Sequence, residues 1–91
     1  MTNEEQIKYS HMKIKLLFFG ITQDLVGNHT VDLNIDNTIS VAELKSELFE
    51  RYPNLNKFPN FAMAVNEHYA NEDTLVNDKD IVAVIPPVSG G

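Results

Sequence analysis

Cysteine and tryptophan are both absent from this chain of 91 residues, and only four residues are glycine. Without cysteine there is no disulfide, no cysteine-based zinc site and no side-chain thiol to act as nucleophile or carrier. Positive charge is also scarce: seven Lys and Arg stand against 13 Asp and Glu, a formal net charge of −6. Nucleic-acid affinity comes mostly from cations that neutralise phosphates, so this balance argues against a nucleic-acid partner. An acidic chain serves solubility and suits a basic protein surface. No apolar run approaches the ~20 residues that span a bilayer. No charged-then-apolar-then-small start marks a secretory signal, so no membrane association and a cytoplasmic setting are expected. On that footing Asn28-His29-Thr30 matches the glycosylation pattern by chance.

What is present suits one small globular domain. Apolar residues make up 43% and charged residues 22%, which excludes disorder and membrane embedding as descriptions of the whole chain. Residues 1–11, "MTNEEQIKYSH", are polar and aperiodic and precede a second methionine, Met12. They read as a disordered extension or an expression scar. Leaving them out removes Glu4, Glu5 and Lys8 and changes the charge from −6 to −5, so the acidity belongs to the domain. The domain is expected over residues 12–85, with residues 86–91 as an extended functional tail.

Along the domain, "MKIKLLFF" alternates and then becomes wholly apolar, predicting a strand that starts half-exposed and ends buried. Gly20 breaks it, and "ITQDLVGN" predicts a short helix. "HTVDLNID" alternates with period two and predicts a second strand, antiparallel to the first across a wide connection. In "SVAELKSELFERYP", Ser40 and Glu43 form a capping-box pattern. Val41, Leu44, Leu48 and Tyr52 share one face with Phe49 beside them, and Pro53 ends the run, so a helix is predicted over 41–51. "NLNKFPN" reads as loop. "FAMAVNEHYA" reads as a strand covered on both faces, a tight turn at Asn66-Glu67 or Glu67-His68, and a short return. "NEDTLVNDKD" is polar around Leu75 and Val76, and "IVAVI" reads as a fully buried last strand. The apolar first and last strands belong at the centre, paired in parallel through a long crossover. The predicted class is α+β: a ubiquitin-like β-grasp, with a mixed four- to five-stranded sheet and one main helix across it. A ferredoxin-like sandwich would need a second full helix, which the sequence does not supply.

Chemistry-bearing constellations are few. His11, His29 and His68 show no ligand spacing, so no metal is expected and surface histidines are the plainer reading. Asp78 and Asp80 flank Lys79 without the glycine or distal glutamate of a calcium loop, and read as a solvated turn. Ser10, Ser46 and Ser89 have no histidine–carboxylate set, and Ser40 is accounted for as a cap. No glycine-rich phosphate loop precedes Lys-Ser/Thr. The chain is therefore not expected to be an enzyme alone, nor to bind a cofactor.

The ending "IPPVSGG" stands apart. Pro86 and Pro87 fix φ and donate no N–H, so the strand stops pairing and departs stiffly. Gly90 and Gly91 give the tip the smallest cross-section a peptide has. A stiff stem with a slim tip suits a narrow channel on another protein, where it would present the α-carboxylate of Gly91. A carboxylate must be activated before transfer, most simply as an acyl adenylate made by a separate ATP-using enzyme. The adenylate can then be taken by an amine, a thiol or a persulfide. The residues alone do not single out sulfur, but with no cysteine any sulfur carried would sit at the terminus itself as a thiocarboxylate.

From Met12 to Gly91 the chain resembles the small, sulfur-carrying subunits of molybdopterin synthase, a β-grasp family. The resemblance rests on "KIKLLFFG", "TISVAELKSELFERYP", "AVNEHY" and above all "DIVAVIPPVSGG". Gly-Gly alone is shared with ubiquitin-like modifiers and the thiamine sulfur carrier, whereas "IPPVSGG" after a "DxVAxI" strand is more specific. The segment 1–11 departs from the family pattern. The resemblance implies that a ubiquitin-activating-like adenylyltransferase uses ATP to adenylate Gly91, and that a sulfur donor protein converts the adenylate to a thiocarboxylate. Gly90 is the slim neighbour, and Pro86, Pro87, Val88 and Ser89 form the threaded stem. The tail would enter a basic pocket of the large catalytic subunit in a heterotetramer. Sulfur would pass there to cyclic pyranopterin monophosphate, two rounds giving the dithiolene. The alternatives are another β-grasp carrier or modifier (thiamine, tRNA thiolation, protein conjugation) and a plain interaction domain whose Gly-Gly is incidental.

Overall fold

A computed structural model describes residues 12–87. The expected N-terminal segment 1–11 and the tail residues 88–91 lie outside the described residues. Among the described residues, seven strands and two α-helices follow in order: β1 (Met12–Phe18), α1 (Ile21–Val26), β2 (Thr30–Ile35), β3 (Ile39–Ser40), α2 (Val41–Arg51), β4 (Ala62–Val65), β5 (His68–Tyr69), β6 (Leu75–Val76) and β7 (Ile81–Ile85). Five strands form a mixed sheet in the order β2-β1-β7-β4-β5, and β3 pairs with β6 as a small side sheet. β1 and β7 lie side by side in parallel, Leu16 opposite Val82 and Phe18 opposite Val84. Their neighbours β2 and β4 are antiparallel to them. This is the β-grasp arrangement that the two apolar strands predict, with β7 in the middle of the sheet.

The strand period of two sorts side chains onto two faces. Ile14, Leu16 and Phe18 of β1, Leu33 and Ile35 of β2, Met63 and Val65 of β4, and Val82 and Val84 of β7 form the inner face and are buried. α2 closes over them with Val41, Leu44 and Leu48, and the Phe18 ring meets Tyr52 edge-on at 5.9 Å between centroids. Leu55, fully buried, plugs one end of this core from a 3₁₀ helix over Pro53–Lys57. The sequence reads that stretch as loop because one apolar residue among polar ones has no period to detect.

The start of α2 shows why it begins where it does. A helix leaves its first four N–H groups without intrahelical partners. Here the Val41 N–H donates to Thr74 O (2.8 Å) and the Ala42 N–H to Glu72 O (3.1 Å). The Glu43 N–H donates to Ser40 Oγ (3.1 Å), while the Ser40 N–H donates back to Glu43 Oε1 (2.9 Å). The capping box is therefore present, and the 72–74 loop, next to the β3–β6 pair, supplies the rest. Ser40→Ala is expected to cost about 1 kcal/mol, or about 4–8 °C in melting temperature for a domain of this size. Thermal circular dichroism reads this directly; an unchanged midpoint would mean that the 72–74 loop alone holds the helix end.

The last strand needs correction, since it is not fully buried. Val82 and Val84 are, but Ile81 is 44% exposed and Ala83 and Ile85 are half-buried. β1 ends buried at Phe18 as expected, though only on its inner face: Leu17 is half-buried, and Phe19 just beyond the strand is 40% exposed. The apolar run at each strand reflects two apolar faces, only one of which the helix covers. β4 comes nearer to being covered on both. Ala62 is exposed at its start, but Ala64 is buried on the outer face.

Candidate functional site

β7 positions the candidate site because it delivers the chain from the middle of the sheet to the tail. Its last pair sets Ile85 against Ala62. Pro86, half-buried, and Pro87, exposed, then follow outside any strand. A proline has no N–H to continue a ladder, so pairing stops here by covalent necessity. The other predicted site residues, Val88, Ser89, Gly90 and Gly91, lie outside the described residues.

The ground beneath Pro86 is made by the turn from β1 into α1. Phe19 leaves β1 but remains tied to β7, its N–H donating to Val84 O at 3.1 Å. Gly20 follows at φ 57° and ψ −136°, a combination that a residue without Cβ adopts far more readily than any other. A Cβ built there would lie 3.0 Å from Pro86 Cγ and 3.7 Å from Pro86 Cδ, so the proline ring occupies the space that Gly20 leaves. Thr22 is fully buried beneath this corner. Its hydroxyl donates to Phe19 O and lies 3.4 Å from Val84 O. Sequence reading takes Gly20 only as a strand breaker and does not single out Thr22. No local signal marks either, because their partners Pro86 and Val84 lie at the other end of the domain sequence.

The outer face of the sheet adjoins this root. The register puts Thr30, Leu17, Ala83, Ala64 and Tyr69 in one row across all five strands. Ile81 lies on one side of that row and Phe19 and Ile85 on the other. A shallow depression is lined by Leu17, Phe19, Asn66, Glu67, Ile81 and Ala83. Its rim is the turn after β4, where Asn66 and Glu67 both have positive φ, 50° and 73°. Asn66 tolerates that conformation and ties the turn down: its side chain donates to Asp80 Oδ1 (2.9 Å) and accepts from the Ile81 N–H (3.0 Å). Phe19 closes the far end, packed edge-on against His29 at 5.5 Å. With Tyr69 and Ile81 exposed beside it, this is an apolar sheet face next to the departing tail.

His29, His68, Asp78 and Asp80 make structural contacts. His29 Nδ1 is 2.9 Å from Phe18 O, and His68 Nδ1 is 3.1 Å from Asn66 O. Asp78 accepts from the Lys13 N–H at 2.8 Å, and Asp80 from the Asn77 N–H at 2.8 Å, so this turn is fastened to β1 and to itself. Among the described residues, no three His, Cys, Asp or Glu side chains converge where a metal ion could sit. No described helix is long and apolar enough to cross a membrane.

Known proteins resemble this chain in sequence and fold. The sequence profile of the ThiS family matches residues 16–91. The molybdopterin synthase sulfur carrier subunit of Caenorhabditis elegans is 38% identical over 84 residues, which cover 88% of this chain and 99% of that protein. A solved protein–protein complex of subunits 1 and 2 of molybdopterin-converting factor from Helicobacter pylori contains a similar chain. That chain is 26% identical, with a TM-score of 0.63 over 88% of this chain and 100% of its own. Small archaeal modifier protein 1 from Haloferax volcanii matches with a TM-score of 0.74 at 19% identity, covering 85% of this chain and 99% of its own, and shares the fold alone. With a β-grasp sheet, a central last strand that runs into Pro86-Pro87, and a profile match that continues through the tail to Gly91, the chain belongs to the ThiS family and is a relative of the sulfur carrier subunits of molybdopterin synthase.

Proposed function

We propose that this chain is the sulfur carrier of a molybdopterin synthase and works through the carboxylate of Gly91. The observation that carries the reading is the exit of the chain at Pro86 from the central strand of the sheet. The 38% identical relative, itself a molybdopterin synthase sulfur carrier subunit, supports it. A carrier group has to reach two enzymes in turn. An arm rooted on a rigid sheet and narrowing to Ser89-Gly90-Gly91 enters a closed site without bringing the body of the domain with it.

The chemistry runs in two steps on the arm. The Gly91 carboxylate attacks the α-phosphorus of ATP in a separate adenylyltransferase, forming the acyl adenylate and releasing pyrophosphate. Hydrosulfide, or a donor protein's sulfur delivered at that oxidation level, attacks the acyl carbon and expels AMP. This leaves the thiocarboxylate and one proton. In the large subunit the thiocarboxylate sulfur attacks a carbon of the pyranopterin and displaces an oxygen substituent from it; water then cleaves the acyl–sulfur bond, leaving the sulfur on the pterin and the carboxylate on Gly91. On this reading the chain holds no cofactor and is no enzyme alone: the adenylyltransferase uses the ATP and the large subunit holds the substrate. The apolar outer face, continuous with the tail root, is the surface that meets the large subunit.

Intact mass spectrometry after incubation with ATP, the cognate adenylyltransferase and a sulfide source tests the reading. A gain of about 16 mass units is expected, oxygen exchanged for sulfur at Gly91. An unchanged mass beside an enzyme proven competent on another carrier would refute it.

A further inference from the structure

The corner of Gly20 and Thr22 does more than turn the chain. We infer that it is a mount that fixes the direction in which the tail leaves the domain, with Gly20 as a positioning residue for the reaction at Gly91. The inference rests on the tail-transfer reading above and names the part of the domain that aims the arm.

Three restraints converge on one short stretch. Proline fixes its own φ near −65° and restricts the residue before it, so Ile85 and Pro86 have little freedom. The Val84 carbonyl accepts the Phe19 N–H at 3.1 Å and so ties the end of β7 to the start of the corner. The Pro86 ring then lies on the side of Gly20 where a Cβ would stand, so that a Cβ there would come within 3.0 Å of its Cγ. The corner is itself held from below: Thr22 is fully buried, and both its N–H (3.1 Å) and its hydroxyl donate to Phe19 O. A turn glycine needs only a backbone reason. This one has a contact reason as well, and the contact is with the first residue of the arm.

The leverage is geometric. Were residues 87–91 held extended, they would span about 15 Å at ~3.1 Å per residue, and a tilt of about 10° at the root would move the tip by about 2.6 Å. Near-attack geometry tolerates less: a misplacement of about 1 Å can cost about 10²-fold in rate. A root that is already aimed also lowers the ordering cost of threading the arm into a partner.

The test uses the full chain in two readouts. Nuclear Overhauser contacts between Gly20 Hα and the Pro86 ring are expected in the unsubstituted protein. Gly20→Ala is expected to abolish them, shift the amide resonances of residues 88–91 while those of β2 and α2 stay in place, and slow loading of Gly91 by about tenfold or more. Pro86→Ala alone is expected to slow loading similarly, and adding Gly20→Ala to it is expected to do little more, because the shared contact is already gone. Thr22→Val, which puts a methyl group where the hydroxyl meets Phe19 O and Val84 O, is expected to shift the same tail amides, and Thr22→Ser to restore them; this pair decides the matter if Gly20→Ala does not fold. Unmoved tail amides, full loading in Gly20→Ala, or the same loss with and without Pro86 would each overturn the mount and leave Gly20 as a turn residue. If the unsubstituted chain never gains sulfur, the carrier reading fails, while the resonance shifts still decide whether the corner aims the tail.

Discussion

Adding one residue after Gly91 is expected to reduce sulfur loading by about 10²-fold or more while leaving the melting temperature unchanged. One extended residue moves the carboxylate by about 3.3–3.6 Å, comparable with the whole distance between reacting atoms in a near-attack arrangement, about 3–3.5 Å. The added side chain would also widen a tip that Gly90 and Gly91 keep slim. Stability is not at risk, since the buried core of the described residues ends at Val84 on β7. Intact mass after the loading reaction reads the first quantity and thermal circular dichroism the second. A fully loaded extended chain would show that the loading enzyme does not measure where the terminal carboxylate lies, and would sink the role given to the slim Gly90-Gly91 tip. Gly91→Ala separates length from width: it keeps the carboxylate at the same distance and changes only the cross-section, so it is expected to load better than the extended chain and worse than the unsubstituted one.

Much of this architecture is legible in the sequence, and what escapes has a common cause. α2 can be placed over Val41–Arg51 because its signals are local: a serine cap, a glutamate three residues on, apolar positions at helical spacing and a proline beyond the end. The parallel pairing of β1 with β7 follows from two apolar strands that both have to be central. The β3–β6 pair escapes because each strand is two residues long and the register of Ile39 with Val76 is fixed across a long separation. Leu55 escapes because a plug needs no period. On the outer face the apolar residues are evident from sequence, but their exposure is not. Ile81 and Val82 look alike in "IVAVI", and only the position of α2 on one side of the sheet separates a core side chain from one that faces outward. The tail stands out in the sequence for a different reason: Pro86, Pro87, Gly90 and Gly91 are residues whose backbone chemistry is unusual wherever they stand. The approach of Pro86 to Gly20 does not, since the two meet only after the sheet has formed.

Ile81→Asp is expected to weaken binding to the large subunit by about 30-fold, the effect of losing one interface hot spot of about 2 kcal/mol. Ile81 points away from the core, lies beside the row of Leu17 and Ala83, and is 44% exposed in the free chain. Contiguous apolar surface of this kind on a small domain marks an interaction site more often than chance exposure. An aspartate there loses the apolar burial and brings a carboxylate into the contact, opposite Lys15 on β1 in the free chain. The fold should tolerate it, at a cost of up to about 1 kcal/mol for aspartate in a strand, because Val82 and Val84 keep the inner face intact. Glu50→Lys, on the exposed side of α2, is the control and is expected to leave affinity within about twofold, as an exposed charge far from the contact. Calorimetric titration of the large subunit with each variant gives the affinities. No loss from Ile81→Asp would place the contact elsewhere than on this face, and equal losses from both variants would mean that Ile81 is no more specific to the contact than the exposed side of α2. A loss confined to Ile81→Asp would put the apolar face in the contact, on the same strand that runs directly on, through Ile85, into the tail proposed to enter the partner.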